Sequence, residues 1–315
     1  MLSAEQLQAA LARFDLGRLI AAAPAAQGLF GQILFLTASS GEWVFRGAPH
    51  DGQLQREHFV SRLVHERTEL EAPWPYYIEP SPEIFGWPYG LMHRIAGEVE
   101  GADGEDDQIG LALALGEGLA ELHAIEVEAP GYYDPVEDRL LPYPVDHETR
   151  VVGMVHEWLG RCLEARREAT PKEDIAWLEA IVEARRSALS IPFTPRFVHH
   201  DYKPNNVLCE RIRSGWRVNG VVDLGEGYFG DPEEDLVRSI ATFARTHPRS
   251  VQPFLRAYAE RRALRPGHAE RYPIYQLIDH LVFWEYGQRN RLWFPPALRF
   301  RAFAEPFVIQ LQPYS

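Results

Sequence analysis

A short loop between residues 198 and 208, Val-His-His-Asp-Tyr-Lys-Pro-Asn-Asn-Val-Leu, carries residue types that phosphate chemistry needs. His199 and Asp201 follow an apolar residue, and Asn206 comes five residues after the Asp, just before an apolar pair. Phosphoryl transfer needs a carboxylate that orients a hydroxyl and accepts its proton, and an amide that helps to hold a metal ion on nucleotide phosphates. The plain alternative is a helix-capping Asp, a turn Asn and a buried His.

A second carboxylate follows downstream. In the stretch 221–225, Val-Val-Asp-Leu-Gly, Asp223 lies at a predicted strand end, two residues before a glycine. Asn206 and Asp223 are therefore predicted to hold Mg²⁺, a hard cation that prefers oxygen ligands. Asp201, with an ordinary pKa near ~4, is ionised at neutral pH and is the predicted general base. We expect His199 to brace the loop.

Three motifs together resemble the aminoglycoside phosphotransferase family, which belongs to the protein-kinase-like superfamily and includes choline-kinase-like enzymes. They are His199-x-Asp201-x4-Asn206, Val222-Asp223 and Gly230-Asp231-Pro232-x-x-Asp235-Leu236. The resemblance implies an α+β, two-lobed fold, with a small β-rich, nucleotide-binding N-lobe at 1–96. It implies a larger, mainly helical C-lobe at 97–315, which holds the catalytic loop and the acceptor pocket. It also implies ATP, with GTP as the alternative, together with Mg²⁺ and a small-molecule hydroxyl acceptor.

Lys203, two residues after Asp201, is also typical of Ser/Thr protein kinases. A protein kinase needs an activation segment closed by Ala-Pro-Glu and a Gly-rich loop with a Val-Ala-x-Lys strand, and the sequence has neither pattern. Only seven residues separate Asp223 from Asp231, too few to dock a polypeptide. We therefore predict a small-molecule kinase in which Lys203 contacts the transferred phosphate. A nucleotide-binding pseudokinase is the alternative from another class, and the intact Asp201, Asn206 and Asp223 argue against it.

The N-terminal stretch supplies candidate nucleotide contacts. Gly28 and Gly31 precede a predicted strand at 32–37, which a turn at 39–42 connects to a second strand at 43–46. Glycines let backbone N–H groups approach phosphate oxygens, so this pair marks a candidate phosphate-covering loop. A plain hairpin turn is the alternative.

Arg46 ends the second predicted strand. The resemblance implies that a cation at this place contacts the nucleotide phosphates and pairs with a glutamate on the next helix. That helix is predicted from Gln53 to about Leu70, and Glu57 faces its core side. The Arg46–Glu57 interval is shorter than expected for the family, so Glu66 is the alternative partner. A surface Arg at a strand end is the plain alternative.

The next predicted strand, at 89–95, resembles the last N-lobe strand and the interlobe hinge. The resemblance implies that backbone groups of Met92, His93 and Ile95 contact the adenine edge. Helices are predicted at 108–125, 147–168 and 172–189, and after about residue 231 the chain is predicted to be helical.

Composition and charge limit the kinds of partner that the chain is expected to bind. The chain has 315 residues and a formal net charge of −13, which argues against nucleic acid because phosphates would be repelled. Cys162 and Cys209 match no metal or redox spacing, so a reducing cytoplasm is expected. The sequence has no run of 18 apolar residues and no signal-peptide pattern at its start, so no membrane partner is expected. The sequence leaves the oligomeric state open.

The acceptor is predicted to be a small hydroxyl compound, cationic rather than anionic, and the resemblance favours an aminoglycoside or another amino-alcohol. The motivation is a set of acids expected near the mouth of the cleft or on a helix at 275–293, and carboxylates can replace the lost hydration of amines. These acids are Glu98, Glu100, Asp103, Glu105, Asp106, Asp107, Asp279 and Glu285. A neutral or apolar alcohol such as a macrolide is the alternative, since Trp284, Tyr286 and Trp293 could line a pocket. The plain alternative places that aromatic helix in the core.

Overall fold

The N-terminal part of the chain forms a five-stranded antiparallel sheet. The structure, a computed structural model, describes residues 2–25, 32–97, 104–213 and 215–310. The strands are β1 (Leu19–Pro24), β2 (Gln32–Ala38), β3 (Gly41–Gly47), β4 (Tyr76–Glu79) and β5 (Tyr89–His93). Their order across the sheet is β1-β2-β3-β5-β4. The predicted hairpin of β2 and β3 is present, with Gln32 opposite Gly47 and Ala38 opposite Gly41.

Two helices flank this sheet. Helix α1 (Ala4–Ala12) begins with a capping box in which Ser3 Oγ accepts from the backbone N–H of Gln6, and its Leu7 and Leu11 are buried in one cluster with the inner face of the sheet. Helix α2 (Gln53–Arg67) begins six residues after β3 ends. It is shorter than predicted because Thr68 takes up an extended conformation.

The C-terminal part is mainly helical. Its helices are α3 (Glu105–Leu122), α4 (His147–Arg166), α5 (Lys172–Arg185), α6 (Leu236–Thr246), α7 (Val251–Arg261), α8 (His268–Asn290) and α9 (Phe300–Glu305). Helices α3 and α7 pack closely at Gly116, where an added Cβ would lie 2.2 Å from the backbone oxygen of Phe254. Helix α8 is buried along most of its length and forms part of the main core.

Short strands among these helices hold the loops that carry the motifs. Strands β6 (Gly131–Asp134), β7 (Arg139–Pro142), β8 (Arg196–Val198) and β11 (Tyr228–Gly230) form a sheet in the order β7-β6-β11-β8. Strands β9 (Val207–Ile212) and β10 (Gly215–Val221) form a hairpin. The loop of residues 199–206 therefore lies between the ends of β8 and β9, and residue 223 lies just past the end of β10.

Two separate segments of the N-terminal part form hydrogen bonds with the same strand of the C-terminal part. The segment after α2 pairs with β10, because Glu71 N–H donates to Asn219 O at 2.8 Å and Glu71 O accepts from Val221 N–H at 3.1 Å. The second contact follows β5, where Asn219 Nδ2 donates to Ala96 O at 2.7 Å. Both contacts are therefore made with the end of β10.

The mixed α+β architecture predicted from the sequence is confirmed: a β-rich N-terminal sheet is followed by a mainly helical part. The division at 96/97 stays a prediction. Helices α4 and α5 end at Arg166 and Arg185, a few residues before the predicted ends, and α3 begins and ends three residues earlier than predicted. Within the described residues, no helix combines the length and the apolar character needed to cross a membrane.

Candidate active site

A buried carboxylate fixes the start of the candidate catalytic loop, residues 199–206. The backbone N–H groups of His199 and His200 each donate to Asp235 at 2.6 Å, one to each carboxylate oxygen. His123 Nε2 lies 3.1 Å from the same carboxylate, and the side chains of His123, His199 and Asp235 are fully buried. His200 has a φ of 71°, in the left-handed region, which these two hydrogen bonds help to hold. Asp235, itself contacted by His123, therefore fixes the backbone at the start of the loop.

His199 links the loop to the strand that leads to the second carboxylate. Its Nε2 donates to Val222 O at 3.0 Å, and its Nδ1 accepts from the backbone N–H of Asp201 at 3.3 Å. The ring is fully buried. Both ring nitrogens are therefore used on backbone groups, and this geometry favours a bracing role over proton transfer.

Asp201 is held by three side chains. Lys203 Nζ lies 2.7 Å and Asn206 Nδ2 lies 2.8 Å from Oδ2, and Arg238 Nε lies 3.2 Å from Oδ1. Burial pushes the pKa of Asp201 upward, but the charges of Arg238 and Lys203 outweigh it and hold that pKa below its ordinary value. The carboxylate is therefore ionised at neutral pH and can accept a proton. Oδ1 receives no hydrogen bond of good geometry from the described part of the chain.

Asn206 and Asp223 offer oxygen ligands beside this carboxylate. Asn206 donates through its amide nitrogen to Asp201, so the amide oxygen takes no part in those bonds. Its backbone oxygen accepts from Val222 N–H at 3.1 Å, which ties the loop to the residue before Asp223. Asp223 has a φ of 61° and a half-exposed side chain. The donor set suits Mg²⁺, which binds through one or two protein oxygens together with substrate phosphates. Among the described residues, no group of three or more His, Cys, Asp or Glu could hold a metal by itself.

Arg46 and Glu57 are brought together across β3 and α2. Arg46 Nε lies 3.1 Å from Glu57 Oε2, and Arg46 Nη2 lies 3.7 Å from Asp223 Oδ1. Glu57 also accepts from Tyr76 OH at 2.8 Å and from Gln53 Nε2 at 3.1 Å. Burial raises the pKa of Glu57, although Arg46 and Tyr76 oppose that shift.

The short Arg46–Glu57 interval is possible because α2 starts soon after β3 and Glu57 lies in its second turn. Glu66, the alternative partner, lies on the exposed side of the same helix. Gly225 completes the contact, since a Cβ on it would approach Glu57 Oε1 to 3.0 Å. The glycine after Asp223 therefore lets the buried glutamate lie against the loop.

The residues predicted to cover the nucleotide or to form the hinge differ in whether the structure describes them and in how far they are buried. Gly28 and Gly31 lie outside the described residues. Met92 and Ile95 are buried, whereas His93 is exposed. The backbone N–H of His93 donates to Pro75 O at 3.0 Å, so it is already used within the sheet and a base edge would have to be contacted by neighbouring backbone groups.

The acids predicted at the cleft mouth are largely paired where they are described. Glu105 lies 2.7 Å from Arg249, and Asp107 pairs with Arg211 and accepts from Trp216 Nε1 at 2.8 Å. Asp106 is exposed. Glu98, Glu100 and Asp103 lie outside the described residues. The described acids therefore do not form an open negative patch.

The aromatic helix α8 belongs mostly to the core. Trp284 is fully buried and donates to Thr170 Oγ1 at 3.0 Å, so it belongs to the core, and the alternative in which it lines a pocket does not hold. Glu285 pairs with Arg289 one turn along the helix, at 2.7 Å, and is likewise not a pocket acid. Tyr286 and Trp293 stack on each other, with Trp293 56% exposed, at the far end of the helix. Asp279 is the exception, because it faces the catalytic loop.

Sequence reasoning missed the residue that connects Asp279 to Asp201. Arg238, near the start of α6, places Nε 3.2 Å from Asp201 Oδ1 and 2.9 Å from Asp279 Oδ1. Its guanidinium also lies over the ring of Phe283, 4.3 Å from the centroid. The available signal was spacing: Arg238 follows Asp235 by three residues, so on a helical segment both face the catalytic loop.

Comparisons with known proteins agree with this geometry. Aminoglycoside 2′-phosphotransferase-IIIa, solved as its GDP complex, is 17% identical, covers 95% of each chain and has a TM-score of 0.65. A protein of Thermobifida fusca YX-ER1, named provisionally as a fructosamine-3-kinase, is 18% identical and covers 97% of this chain and 99% of its own, with a TM-score of 0.66. A thermostable mutant of aminoglycoside phosphotransferase APH(4)-Ia, solved with ADP and hygromycin B, is 16% identical and covers 91% of this chain and 96% of its own, with a TM-score of 0.55.

These likenesses show the fold, and the sequence itself shows the family. No curated protein matches the chain at a significant level. A model of the phosphotransferase enzyme family, APH, matches residues 22–271, which is well over half of the chain. The chain therefore belongs to the phosphotransferase enzyme family and is a small-molecule kinase that acts on hydroxyl groups.

Proposed function

We propose that this kinase transfers the γ-phosphate of ATP to a hydroxyl group of a small polar molecule, with GTP as the alternative donor. The observation that carries the proposal is the environment of Asp201. Three side chains fix its carboxylate, and two of them are cations that keep it ionised at neutral pH despite its burial. An ionised, immobile carboxylate is the general base that a hydroxyl nucleophile requires.

Asp201 accepts the proton of the acceptor hydroxyl as that oxygen attacks the γ-phosphorus. The new bond joins the acceptor oxygen to phosphorus, and the bond between phosphorus and the β,γ-bridging oxygen breaks, so that ADP leaves with the electron pair. Oδ1 is buried beside Arg238, so Oδ2, which Lys203 and Asn206 hold in place, is the oxygen that receives the hydroxyl. Lys203, held within 2.7 Å of Asp201, is close enough to balance charge on the transferred phosphate.

Mg²⁺ would be held by Asn206 and Asp223 and would neutralise charge on the β- and γ-phosphates. The oxygen ligands lie on two segments of the chain. A backbone hydrogen bond from Val222 to Asn206 holds these segments together. Arg46, fixed by Glu57 and 3.7 Å from Asp223, is placed to contact nucleotide phosphates. Because its other neighbour, Glu57, is buried and bonded to Tyr76, the guanidinium is held in one orientation.

The same substitution at two aspartates tests the proposal. ADP release would be followed in a coupled assay over a panel of hydroxyl compounds, for the wild type, Asp201→Asn and Asp106→Asn. Removing the base should lower kcat by about 10²- to 10⁴-fold. The exposed Asp106 provides the control for the chemistry of the change, and its variant should match the wild type. Equal turnover by a folded Asp201→Asn protein would refute the assignment of Asp201 as the base.

A further inference from the structure

Helix α2, which carries Glu57, packs mainly into the core of the C-terminal part. Its buried residues Val60, Leu63 and Val64 belong to the same hydrophobic cluster as the buried residues of α3 and α8. The N-terminal sheet and α1 form a separate cluster. Near its start, α2 also packs against the sheet through Leu54. The helix is therefore attached chiefly to the part of the chain that carries the catalytic loop.

The hairpin of β6 and β7 holds the first half of this helix. The rings of Phe59 on α2 and Tyr133 on β6 stack, with centroids 4.2 Å apart and planes 11° apart. Tyr133 is buried, and its hydroxyl donates to Asp138 Oδ1 at 2.6 Å within the same hairpin, which fixes the ring. Gly52 lies two helical turns before Phe59, and a Cβ on it would approach Pro135 Cγ to 2.5 Å. The hairpin thus contacts one side of α2 at two points.

This hairpin belongs to the sheet from which the catalytic loop begins. Gly131 of β6 lies opposite Phe229 of β11, and Phe229 lies opposite Phe197 of β8. Strand β8 leads directly into the loop of residues 199–206. Backbone hydrogen bonds hold neighbouring strands at a fixed spacing of about 4.8 Å. The ring of Tyr133 is therefore held at a set place relative to the loop.

The other side of α2 carries the glutamate that orients Arg46. Glu57 precedes Phe59 by two residues, so it points away from the stacked ring and toward the N-terminal sheet. There its Oε2 lies 3.1 Å from Arg46 Nε. Between these two positions, Arg56 Nε donates to Gly225 O at 3.3 Å, in the segment that follows Asp223. A shift of α2 on the hairpin would therefore displace Glu57, and Arg46 with it.

We propose that Tyr133 is a positioning residue for the nucleotide. Its stack with Phe59 sets the place of Glu57 relative to the catalytic loop. Glu57 in turn orients Arg46, so that the guanidinium meets the nucleotide phosphates at the distance from Asp201 that transfer requires. Tyr133 touches neither substrate. The assignment rests on the proposed function, because it takes Arg46 as a contact of the nucleotide phosphates.

The first experiment measures nucleotide binding without an acceptor. Calorimetric titration with MgATP, and in parallel with MgGTP, would give the Kd for the wild type, Tyr133→Ala, Tyr133→Phe and Tyr132→Ala. Tyr133→Ala should raise the Kd about threefold to tenfold, because α2 then spends less time in the position that orients Arg46. Tyr133→Phe keeps the stacked ring and should bind as the wild type does. Tyr132, its neighbour on the opposite face of β6, is exposed and provides the matched control, so Tyr132→Ala should keep the wild-type Kd.

The second experiment separates positioning from general support of the fold. Tyr133→Ala would be combined with Arg46→Ala, and the four Kd values would form a double-mutant cycle. If Tyr133 acts through Arg46, its removal should weaken binding no further once the guanidinium is gone. A purely structural role would weaken binding by the same factor with and without Arg46. Melting curves would confirm that each variant is folded.

Several results would overturn the inference. They are a wild-type Kd in folded Tyr133→Ala, equal losses in Tyr133→Ala and Tyr132→Ala, and additive effects in the cycle. A wild type that binds neither nucleotide would also overturn it. Should Tyr133→Ala fail to fold, Phe59→Leu takes its place in both experiments, since it keeps an apolar side chain but removes the ring, and the same outcomes decide.

The proposed function is judged separately. Turnover that Asp201→Asn abolishes, together with an unchanged Kd in Tyr133→Ala, would leave that function standing and remove the role of Tyr133. A raised Kd in Tyr133→Ala, together with full turnover in Asp201→Asn, would have the opposite meaning.

Discussion

Replacing Arg238 with glutamine should move the acid limb of the pH–rate profile upward. Arg238 lies 3.2 Å from Asp201 and, after burial, is the largest influence on the pKa of that carboxylate. The pKa of Asp201 is depressed, so the base is ionised above that pKa and loses activity as the pH falls through it. Removing Arg238 leaves burial opposed mainly by Lys203. The carboxylate then gains its proton at a higher pH.

The expected size follows from the distance and the surroundings. An opposite charge within about 4–6 Å lowers a carboxylate pKa by about 1–3 units. Lys203 remains 2.7 Å from Oδ2 in the variant and keeps part of the stabilisation. We therefore expect the acid limb of kcat/KM to rise by about 1–2 pH units, toward the lower end of that range.

The assay is kcat/KM for the best acceptor, measured between the acid limit of folding and neutral pH. Circular dichroism at each pH would confirm that the variant is folded. Arg238→Lys is the matched control, since it keeps a cation near both carboxylates. Its acid limb should stay closer to that of the wild type than the limb of Arg238→Gln. A folded Arg238→Gln enzyme whose acid limb coincides with that of the wild type would refute the electrostatic argument.

Other variants test the remaining parts of the site. Asp223→Asn should retain less than about a tenth of the wild-type rate, since a metal site supplies several kcal/mol, and titration of Mg²⁺ against rate would show whether added metal restores it. Arg46→Ala should raise the KM for nucleotide far more than it lowers kcat, whereas Glu66→Gln should change neither. An effect of Glu66→Gln equal to that of Arg46→Ala would count against the Arg46–Glu57 pair. Asp235→Asn should lower thermal stability and activity together, because each charge-assisted hydrogen bond to the loop is worth about 1.5–3 kcal/mol. A melting curve identical to that of the wild type would contradict the bracing role.

Local spacing was enough to predict the contacts within the loop of residues 199–206. Lys203 and Asn206 both contact Asp201 because all three lie on one tight loop, where sequence distance limits spatial distance. The pairing of Arg46 with Glu57 was also accessible, since the end of a strand and the second turn of the next helix face each other across a short connection. These contacts depend on a few consecutive residues and on regular secondary structure.

Long-range side-chain pairing was not accessible from the sequence. The contact between Arg238 and Asp279 joins α6 to α8, and neither residue lies in a motif that specifies its partner. The acids at 105 and 107 looked available to a ligand, but they pair with Arg249 and Arg211, which are distant in the chain. Trp284 has an aromatic side chain of the kind that often lines pockets, and only the packing of α8 shows that it lies in the core. Charge and aromaticity indicate what a residue can do, whereas tertiary packing decides whether it is free to do it.

The two contacts that Glu71 and Ala96 make with β10 also restrict how the cleft can open. A body attached at two points rotates most easily about the line that joins them, and atoms near that line move least. Here the two points are Glu71 and Ala96, and both are bonded to residues 219–221 at the end of β10. Asp223 follows two residues later, so it lies close to the axis of such a rotation. A swing of the sheet would therefore change the width of the cleft at its distant edge while the carboxylate of Asp223 kept its place relative to both halves.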